Sequence, residues 1–315
     1  MIADFSPRRN YETKRNKKEK VKRKKENLVS YLSRAQSREC LGGKSSGFSL
    51  VEVMVVVSTV SVIMAVTMPA INTARSRARA IVCRSNLRQL VMANIEYSND
   101  RDGFCVPAAD DLWKEIGPLQ GGYDRWHGKR NGSDEPFDPM KGPLIRYLAD
   151  GKIKECPARV DFTKNQPGKI NFEQGCGGYG YNMMYIGSKL SCSSMLLKQQ
   201  YARTAQLTEI KRPEATLMFA DTAFYQDNQY LIEYSFAEPP FLVVNGKPDA
   251  DGDYGYPSPS IHFRHYGSAN VGWVDGHVEA KPMAKPVLGD NYTTEMAKMN
   301  IGWFAPVDNT LFDLQ

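Results

Sequence analysis

The sequence predicts an α+β fold, in which a long amino-terminal helix precedes a loop-rich antiparallel β domain. Two observations favour this fold. The first is a run of 24 residues, 48–71, in which Glu52 is the only ionisable side chain. The second is the composition beyond the helical region. There the chain is rich in Gly, Pro, Tyr and Asn, and short apolar segments alternate with turn residues, which is typical of strands joined by loops.

Residues 48–71 have the length of a membrane-spanning helix. At ~1.5 Å per residue, a helix of this length crosses the ~30 Å hydrocarbon core of a bilayer. A secretory signal peptide fits less well, because its apolar region is usually ~7–15 residues long and a small-residue cleavage site follows it. A carboxylate inside a membrane helix is costly without a partner, so Glu52 is predicted to have a function.

The charge of the chain is divided unevenly. Residues 1–47 contain 14 Lys and Arg against 5 Asp and Glu, a net charge of +9, whereas residues 48–315 carry −3. Next to a membrane helix, such a basic segment is typical of a cytoplasmic amino terminus. Nucleic-acid binding is a weaker interpretation of the same charge, and we expect no nucleic-acid partner.

The start of the apolar run carries a known pattern. Gly47 is followed directly by Phe48, Glu52 is the fifth residue after the glycine, and Pro69 is the twenty-second. In these residues the chain resembles the type IV pilin superfamily, including the pseudopilins of type II secretion. The resemblance implies that a prepilin peptidase cuts after Gly47 on the cytoplasmic face and methylates the new amino group of Phe48. The apolar segment then stays as a membrane anchor and filament core.

The resemblance also implies a role for Glu52 in assembly. Cleavage gives Phe48 a free amino terminus, which has an unperturbed pKa of ~7.7–8 and is therefore a cation at the edge of the apolar helix. Glu52 lies one helical turn away and could pair with this cation in its own chain. The resemblance implies that it pairs instead with the amino terminus of a neighbouring subunit. Pro69 is predicted to kink the helix, because it removes a backbone donor.

Beyond Pro69 the apolar residues follow one face of a helix. They are Ile71, Ala74, Ala78, Ile81, Val82, Leu87, Leu90, Val91 and Ile95. This pattern predicts a helix that packs on one side against a domain and ends at the turn residues 99–103. The predicted organisation is a basic leader (1–47), a transmembrane helix (48–71), an amphipathic extension (72–100) and a periplasmic β-rich domain (101–315).

Strand candidates in the domain are 216–220, 230–234 and 241–244. The clearest pattern is a hairpin of 261–266 and 270–274 around a glycine-containing turn, followed by a second turn at Asp275 and Gly276. His265 precedes Asp275 and Gly276 with nine residues between. This spacing is similar to the H-x9-DG pattern of a bacterial subfamily of prepilin-like proteins.

Three of the four histidines, His262, His265 and His277, lie with Asp275 within sixteen residues. Imidazole and carboxylate together suit zinc or another transition metal, which makes a metal site an open alternative. In a regular strand, however, His262 and His265 point to opposite faces. The preferred interpretation is polar pairing, in which His265 bonds to Asp275 or to a backbone carbonyl and fixes the turn.

No pattern of an enzyme is present. The sequence has no nucleophile elbow, no Ser-His-Asp order and no glycine-rich cofactor loop, so we expect neither catalysis nor a cofactor. Calcium bound by Asp249, Asp251 and Asp253 is an alternative, but this stretch is more simply a solvated turn.

Four cysteines fall in the presumed periplasmic domain, where disulfides persist. They are Cys105, Cys156, Cys176 and Cys192. Disulfides within this set are favoured over free thiols, and three connectivities are open. Cys83 lies on the predicted helix. Zinc bound by cysteines is less favoured, because the sequence contains no Cys-x-x-Cys pair.

Together the two resemblances imply a structural subunit, a pseudopilin of a type II secretion-like system. The implied partners are the prepilin peptidase and N-methyltransferase, other pilin-like subunits and the inner membrane. The implied location is a single-pass inner-membrane protein with its carboxyl-terminal domain in the periplasm, in a pseudopilus or at the cell surface. The alternatives are a type IV pilin for adhesion or motility, and a membrane-anchored periplasmic metal-binding protein or enzyme.

Overall fold

The structure is a computed structural model. It describes residues 48–109, 111, 123–132, 135–158, 162, 173–188, 203–226, 230–244, 247–250, 252–253, 257–286, 288–289 and 291–315. The basic leader with the predicted cleavage residue Gly47, and also Cys192 and Asp251, lie outside the described residues.

One long helix precedes a set of short strands, and this confirms the α+β class. The helices are α1 (Leu50–Asn99) and α2 (Thr294–Lys298), with 3-10 turns at Pro139–Lys141, Ile145–Tyr147 and Leu207–Glu209. The strands are β1 (Asp124–Arg125), β2 (Gly128–Lys129), β3 (Tyr179–Tyr181), β4 (Leu217–Asp221), β5 (Phe224–Gln226), β6 (Tyr230–Ile232), β7 (Val243–Val244), β8 (Lys247–Pro248), β9 (Ile261–His262), β10 (Ser268–Trp273), β11 (Val278–Pro282) and β12 (Ile301–Gly302).

The central sheet has four antiparallel strands in the order β11-β10-β4-β3. All five residues of β4 are buried, which suits its apolar sequence Leu-Met-Phe-Ala before the terminal Asp221. Every residue of β10 after Ser268 is buried, which is typical of a strand with both faces packed. The remaining strands form antiparallel pairs, namely β1-β2, β5-β6, β7-β8 and β9-β12.

The chain divides into two compact units, Met1–Val66 and Thr67–Gln315, and the division falls within α1. In the second unit, α1 packs one face into the core. Its buried residues are Cys83, Asn86, Leu87, Leu90, Val91, Ala93, Asn94, Tyr97 and Ser98.

Leu87, Leu90 and Val91 of the predicted apolar face therefore lie in the core. Ile71, Ile81 and Val82 from the same predicted face are exposed. The buried residues of the helix thus begin at Cys83, and before it the hydroxyl of Tyr266 donates to the carbonyl of Thr73 at 3.1 Å.

Gly272 in β10 lets the helix come close to the sheet. A Cβ atom at this position would lie 2.6 Å from Cγ2 of Val91 and 3.4 Å from Cγ of Leu87. Real Cβ atoms do not approach other carbons so closely, so a residue without a side chain is required where α1 crosses β10.

The predicted hairpin of 261–266 and 270–274 is wrong in its pairing. β9 pairs with β12, in the register His262 to Ile301, and β10 pairs with β11 and β4. A two-residue turn, with φ of 56° at Tyr266 and 72° at Gly267, joins the two segments, but they share only the bridge between His265 and Ser268. β11 and β4 occupy both edges of β10 and leave no edge for β9. The pattern of neighbouring residues could not predict this pairing with strands from elsewhere in the chain. The predicted second turn, at Asp275 and Gly276, joins β10 to β11 as expected.

Candidate functional site

The first part of α1 is apolar on all sides. Within the described residues, α1 is the one helix long and apolar enough to cross a membrane, with a mean hydropathy of 2.3 over 18 residues, none of them buried. The hydroxyls of Ser58, Thr59 and Ser61 donate to carbonyl oxygens three or four residues earlier, at 2.7–2.9 Å. These hydroxyls are therefore satisfied inside the helix and need no water. α1 is accordingly a candidate membrane span.

Glu52 stands in the first turn of α1 and caps it. Its Oε2 accepts a hydrogen bond from the backbone N–H of Ser49 at 2.8 Å, and Oγ of Ser49 accepts one from the N–H of Val51 at 3.3 Å. The Glu52 bond is one half of a capping box, and the Ser49 hydroxyl caps the neighbouring N–H of Val51, so two free donors are satisfied at the helix start. Phe48 is 84% exposed. Sequence reasoning gave Glu52 a role in assembly and missed its role as a cap.

Pro69 lies inside α1, which continues beyond it to Asn99. The carbonyl oxygen of Pro69 accepts a hydrogen bond from the hydroxyl of Thr73 at 3.0 Å.

The second unit contains a buried cluster of polar side chains, which we call the Cys83 cluster. It consists of Cys83, Cys156, Asp221 and His265, and one sulfur, nitrogen or oxygen atom of each lies within 4.8 Å of the corresponding atoms of the other three. Cys83, Asp221 and His265 are buried, and Cys156 is partly exposed. Thiol, carboxylate and imidazole are all metal-binding groups, so this cluster could hold a metal ion.

Three short distances connect the cluster. The Cys83 thiol donates to Oδ1 of Asp221 at 3.2 Å. Nε2 of His265 lies 3.3 Å from Oδ2 of Asp221 and 3.5 Å from Sγ of Cys156. Asp221 is thus the central group, because it contacts both Cys83 and His265.

Four separate parts of the fold hold these side chains. Cys83 lies on the buried face of α1, one turn before Leu87. Asp221 ends β4, and its Oδ2 accepts a hydrogen bond from the backbone N–H of Asn270 in the neighbouring strand β10 at 2.8 Å. The N–H of Cys156 bonds to the carbonyl of Gly177 at 3.0 Å.

The tight turn of His265 to Ser268 fixes the position of the fourth member. The backbone N–H of His265 bonds to the carbonyl of Ser268 at 2.9 Å, and the reverse bond is 3.1 Å. Positive φ at both central residues, Tyr266 and Gly267, is characteristic of a two-residue hairpin turn. This turn directs the imidazole toward Asp221.

Arg264 neutralises part of the buried charge. Its Nη2 donates to Oδ1 of Asp221 at 2.9 Å and also to the carbonyl of Gly178, and its Nη1 donates to the carbonyl of Thr222 at 3.1 Å. The phenol of Tyr179 donates to Sγ of Cys83 at 3.4 Å. Because these donors are buried with the carboxylate, they stabilise its charged form.

The environment shifts the pKa of each member. Burial alone would raise the pKa of Asp221, but Arg264 and His265 hold it well below its usual range. Burial opposes a charged His265, yet its contacts with Asp221 and Cys156 raise its pKa to about 9. The hydrogen bond from Cys83, together with Arg264 and His265, lowers the pKa of Cys156 to about 5, whereas burial raises the pKa of Cys83. The surroundings thus favour the charged forms of Asp221, His265 and Cys156 and the neutral thiol of Cys83.

The predicted pairing of His265 with Asp275 is wrong. His265 contacts Asp221, and Asp275 contacts His277, with 2.6 Å between Oδ1 and Nδ1. The two motif residues stand at opposite ends of the six-residue strand β10, which spans roughly 20 Å at ~3.3 Å per residue. Each therefore belongs to its own turn.

The other members of the predicted histidine group do not join His265 in one metal site. His277 stacks on Trp273 at the exposed turn, with 5.7 Å between the ring centroids. His262 lies beside Arg264, with 3.2 Å from Nδ1 to Nη1, and burial and that cation lower its pKa to about 3. Among the described residues, the possible metal ligands grouped with His265 are Cys83, Cys156 and Asp221, and neither His262 nor His277 is among them.

The expected disulfides are not formed as predicted. Cys83, Cys156 and Cys176 are free thiols, so neither Cys156 nor Cys176 forms a disulfide. Cys156 instead contacts His265, and Sγ of Cys176 lies 3.7 Å from Oε2 of Glu233. Cys105 is buried in the core, and Cys192 lies outside the described residues.

A second buried charged group lies around Arg125 and Glu173. Nη2 of Arg125 is 2.9 Å from Oε1 of Glu173, and the hydroxyl of Ser235 donates to Oε2 at 2.5 Å. Burial opposes the Glu173 carboxylate, but Arg125 and His127 lower its pKa to about 2. Like Arg264 and Asp221 beside the Cys83 cluster, Arg125 and Glu173 form a buried ion pair next to a histidine.

Comparison with known proteins adds no relative. No protein-family model matches the chain, and no curated protein and no solved structure matches it significantly.

Sequence reasoning found His265 but missed its partners. It examined residues close together in the sequence, whereas Cys83, Cys156 and Asp221 come from distant segments. Two local signals were present: a carboxylate directly after the four apolar residues of β4, and a cysteine on the apolar face of the helix. Neither signal identifies its partner without the sheet topology.

Proposed function

We propose that this chain is a pilin-like structural subunit, held in the inner membrane by the first part of α1 and assembled through it. The specific role proposed is that of a pseudopilin in a type II secretion-like system. The observation that carries the proposal is the first part of α1, which is apolar and exposed on every face and contains one carboxylate, Glu52, in its first turn.

The exposed apolar surface requires a partner. Each Val, Ile, Leu or Met side chain left in water forgoes about 1.5–3 kcal/mol compared with burial. Lipid tails or other copies of the same helix provide this burial, and a helix satisfies all of its backbone groups in either setting. An apolar helix with a single acid suits a subunit that moves from membrane to filament.

Glu52 suits both steps of this proposal. In the uncut chain its carboxylate accepts the N–H of Ser49 and so has a partner at the membrane edge. Cleavage after Gly47 would place a cationic amino group at Phe48, and a neighbouring subunit could then offer that cation to Glu52. The paired charges offset much of the cost of burying each one separately.

The test compares two substitutions at the same position. Glu52→Val removes the charge and the cap, while Glu52→Gln removes the charge but keeps an acceptor for Ser49, since glutamine also serves in a capping box. We expect both variants to insert into the membrane and both to lose cross-linked oligomers. If Glu52→Gln assembles like the wild type, the carboxylate is only a cap, and the proposed pairing in assembly is incorrect.

A further inference from the structure

We propose that Cys83, Cys156, Asp221 and His265 bind one zinc ion, which connects α1 to β4 and to the turn that follows β9. This inference does not depend on the proposed role in assembly. The sequence favoured polar pairing of His265 over a metal site, because the candidate metal-binding residues near it in the sequence are only His262, Asp275 and His277. The structure adds two thiols and a carboxylate from other segments.

The geometry fits a tetrahedral site. With zinc–sulfur bonds of ~2.3 Å and zinc–nitrogen and zinc–oxygen bonds of ~2.0–2.2 Å, ligand atoms around zinc stand about 3.3–3.8 Å from one another. The structure has 3.2 Å from Cys83 Sγ to Oδ1 of Asp221, 3.3 Å from Oδ2 of the same carboxylate to His265 Nε2, and 3.5 Å from His265 Nε2 to Cys156 Sγ. All four ligand atoms lie within 4.8 Å, so small side-chain rotations suffice to bind the ion.

The donor set selects the metal. Two cysteine sulfurs with one imidazole and one carboxylate suit zinc, whereas calcium and magnesium prefer oxygen ligands alone. Four protein ligands leave no open position for water or substrate, and three of them are buried. A closed site of this kind stabilises a fold and does not catalyse a reaction.

The charge of the site balances when zinc is bound. Two thiolates and the Asp221 carboxylate give −3, zinc gives +2, and Arg264 beside Asp221 gives +1. The two cysteines would bind as thiolates and His265 as a neutral imidazole, because a metal ligand must be deprotonated. The zinc-bound site is therefore neutral in the protein interior.

A zinc ion here would cross-link distant segments of the second unit, which is a role that disulfides have in other proteins. Its ligands come from positions 83, 156, 221 and 265, so it would close three long loops of the second unit. Cys156 and Cys176 form no disulfide that could do the same. A metal held only by the folded state stabilises that state by mass action.

The first experiment measures metal content. The full chain is expressed with zinc in the medium and purified in mild detergent with a thiol reductant. The zinc content per chain is then measured by inductively coupled plasma mass spectrometry. We expect about one zinc per chain in the wild type and a loss of at least ~10-fold in Cys156→Ser and His265→Asn. Cys176→Ser is the matched control, because Cys176 is also a buried thiol beside a carboxylate but lies outside the cluster.

A second measurement does not depend on variants that may misfold. Cobalt replaces zinc in the wild-type chain, and we expect thiolate-to-cobalt charge-transfer absorption together with the strong visible bands of a tetrahedral site. We also expect a chelator to lower the thermal midpoint of the wild type and to leave that of Cys156→Ser unchanged.

Three results would overturn the zinc site. The first is a reduced, zinc-supplied wild type that contains no metal and shows no chelator effect. The second is zinc that stays bound in both Cys156→Ser and His265→Asn. The third is an intact mass showing a disulfide between Cys83 and Cys156 in the chain isolated from cells, since those two thiols would then be unavailable.

Discussion

The two ends of α1 belong to one continuous helix but have opposite surroundings. Between Leu50 and Met68 the large apolar side chains are 42–75% exposed, whereas Leu87, Leu90 and Val91 are at most 2% exposed. The difference follows from the sequence. The first part is apolar on all sides and offers no polar face to water, and the second part has one apolar face, with Arg84 at its border and Arg88 outside it. One helix therefore has two parts, an exposed apolar part, for which we propose a role in assembly, and a part that packs into the core of the domain.

The largest expected effect distinguishes the two parts of α1 by making the same substitution, Leu to Ala, in each part. Leu87→Ala should destabilise the domain by about 2–5 kcal/mol, because it leaves a cavity between α1 and the sheet. Leu50→Ala, in the same helix, should leave the domain unchanged, since Leu50 is 75% exposed. The measurement is the thermal midpoint of the near-ultraviolet circular dichroism of the buried Trp126 and Trp273, in detergent.

A shift in the thermal midpoint on the order of 10 °C for Leu87→Ala would match this estimate. Equal shifts for the two variants would contradict the division of α1 into two parts.

An intermediate effect is expected at the crossing of α1 and β10. Gly272→Ala should cost about 1–3 kcal/mol, because the new methyl group would stand 2.6 Å from Cγ2 of Val91. Gly289→Ala is the control, since nothing lies within 4 Å of a Cβ there. The free energy of unfolding of both variants is measured by chemical denaturation, and its dependence on denaturant concentration should be the same in both. A Gly272→Ala variant as stable as Gly289→Ala would show that the contact between helix and sheet is looser than described.

The smallest effect concerns the start of the helix. Ser49→Ala removes the acceptor of the Val51 N–H and should cost ~0.5–1 kcal/mol at that end alone. It keeps Glu52, so cross-linked oligomers and the thermal midpoint of the domain should match those of the wild type. If Ser49→Ala lost oligomers as completely as Glu52→Gln, capping rather than charge would govern assembly.

Local pattern predicted the parts of the fold that depend on near neighbours. The apolar run, the buried residues Leu87, Leu90 and Val91, the turn at Asp275 and the strand predicted at 216–220, which the structure has at Leu217–Asp221, all follow from residues close in sequence. The partner of β9 does not, because Ile301 is about forty residues away and strand pairing depends on which edges other strands occupy.

The Cys83 cluster shows the same limit for a site. His265 was singled out from its motif, but the spacing to Asp275 suggested the wrong partner. A spacing of ten residues across a six-residue strand separates two side chains instead of joining them. The true partners lie on the helix, on a loop and at the end of β4, and only the antiparallel order of the sheet brings them together. The sequence shows which residue types could bind a metal, but it does not show which of them lie together in the fold.

The proposed function is tested most directly by the amino terminus of the chain taken from membranes of a cell that contains a prepilin peptidase. Intact mass and terminal sequencing should show a chain that begins at N-methylated Phe48. Gly47→Ala should still be cut in part, and Gly47→Trp should remain uncut with its basic leader attached. A wild-type chain that stays uncut, or one that begins near Ala74 after removal of the apolar segment, would contradict the account of α1 as an anchor and assembly helix.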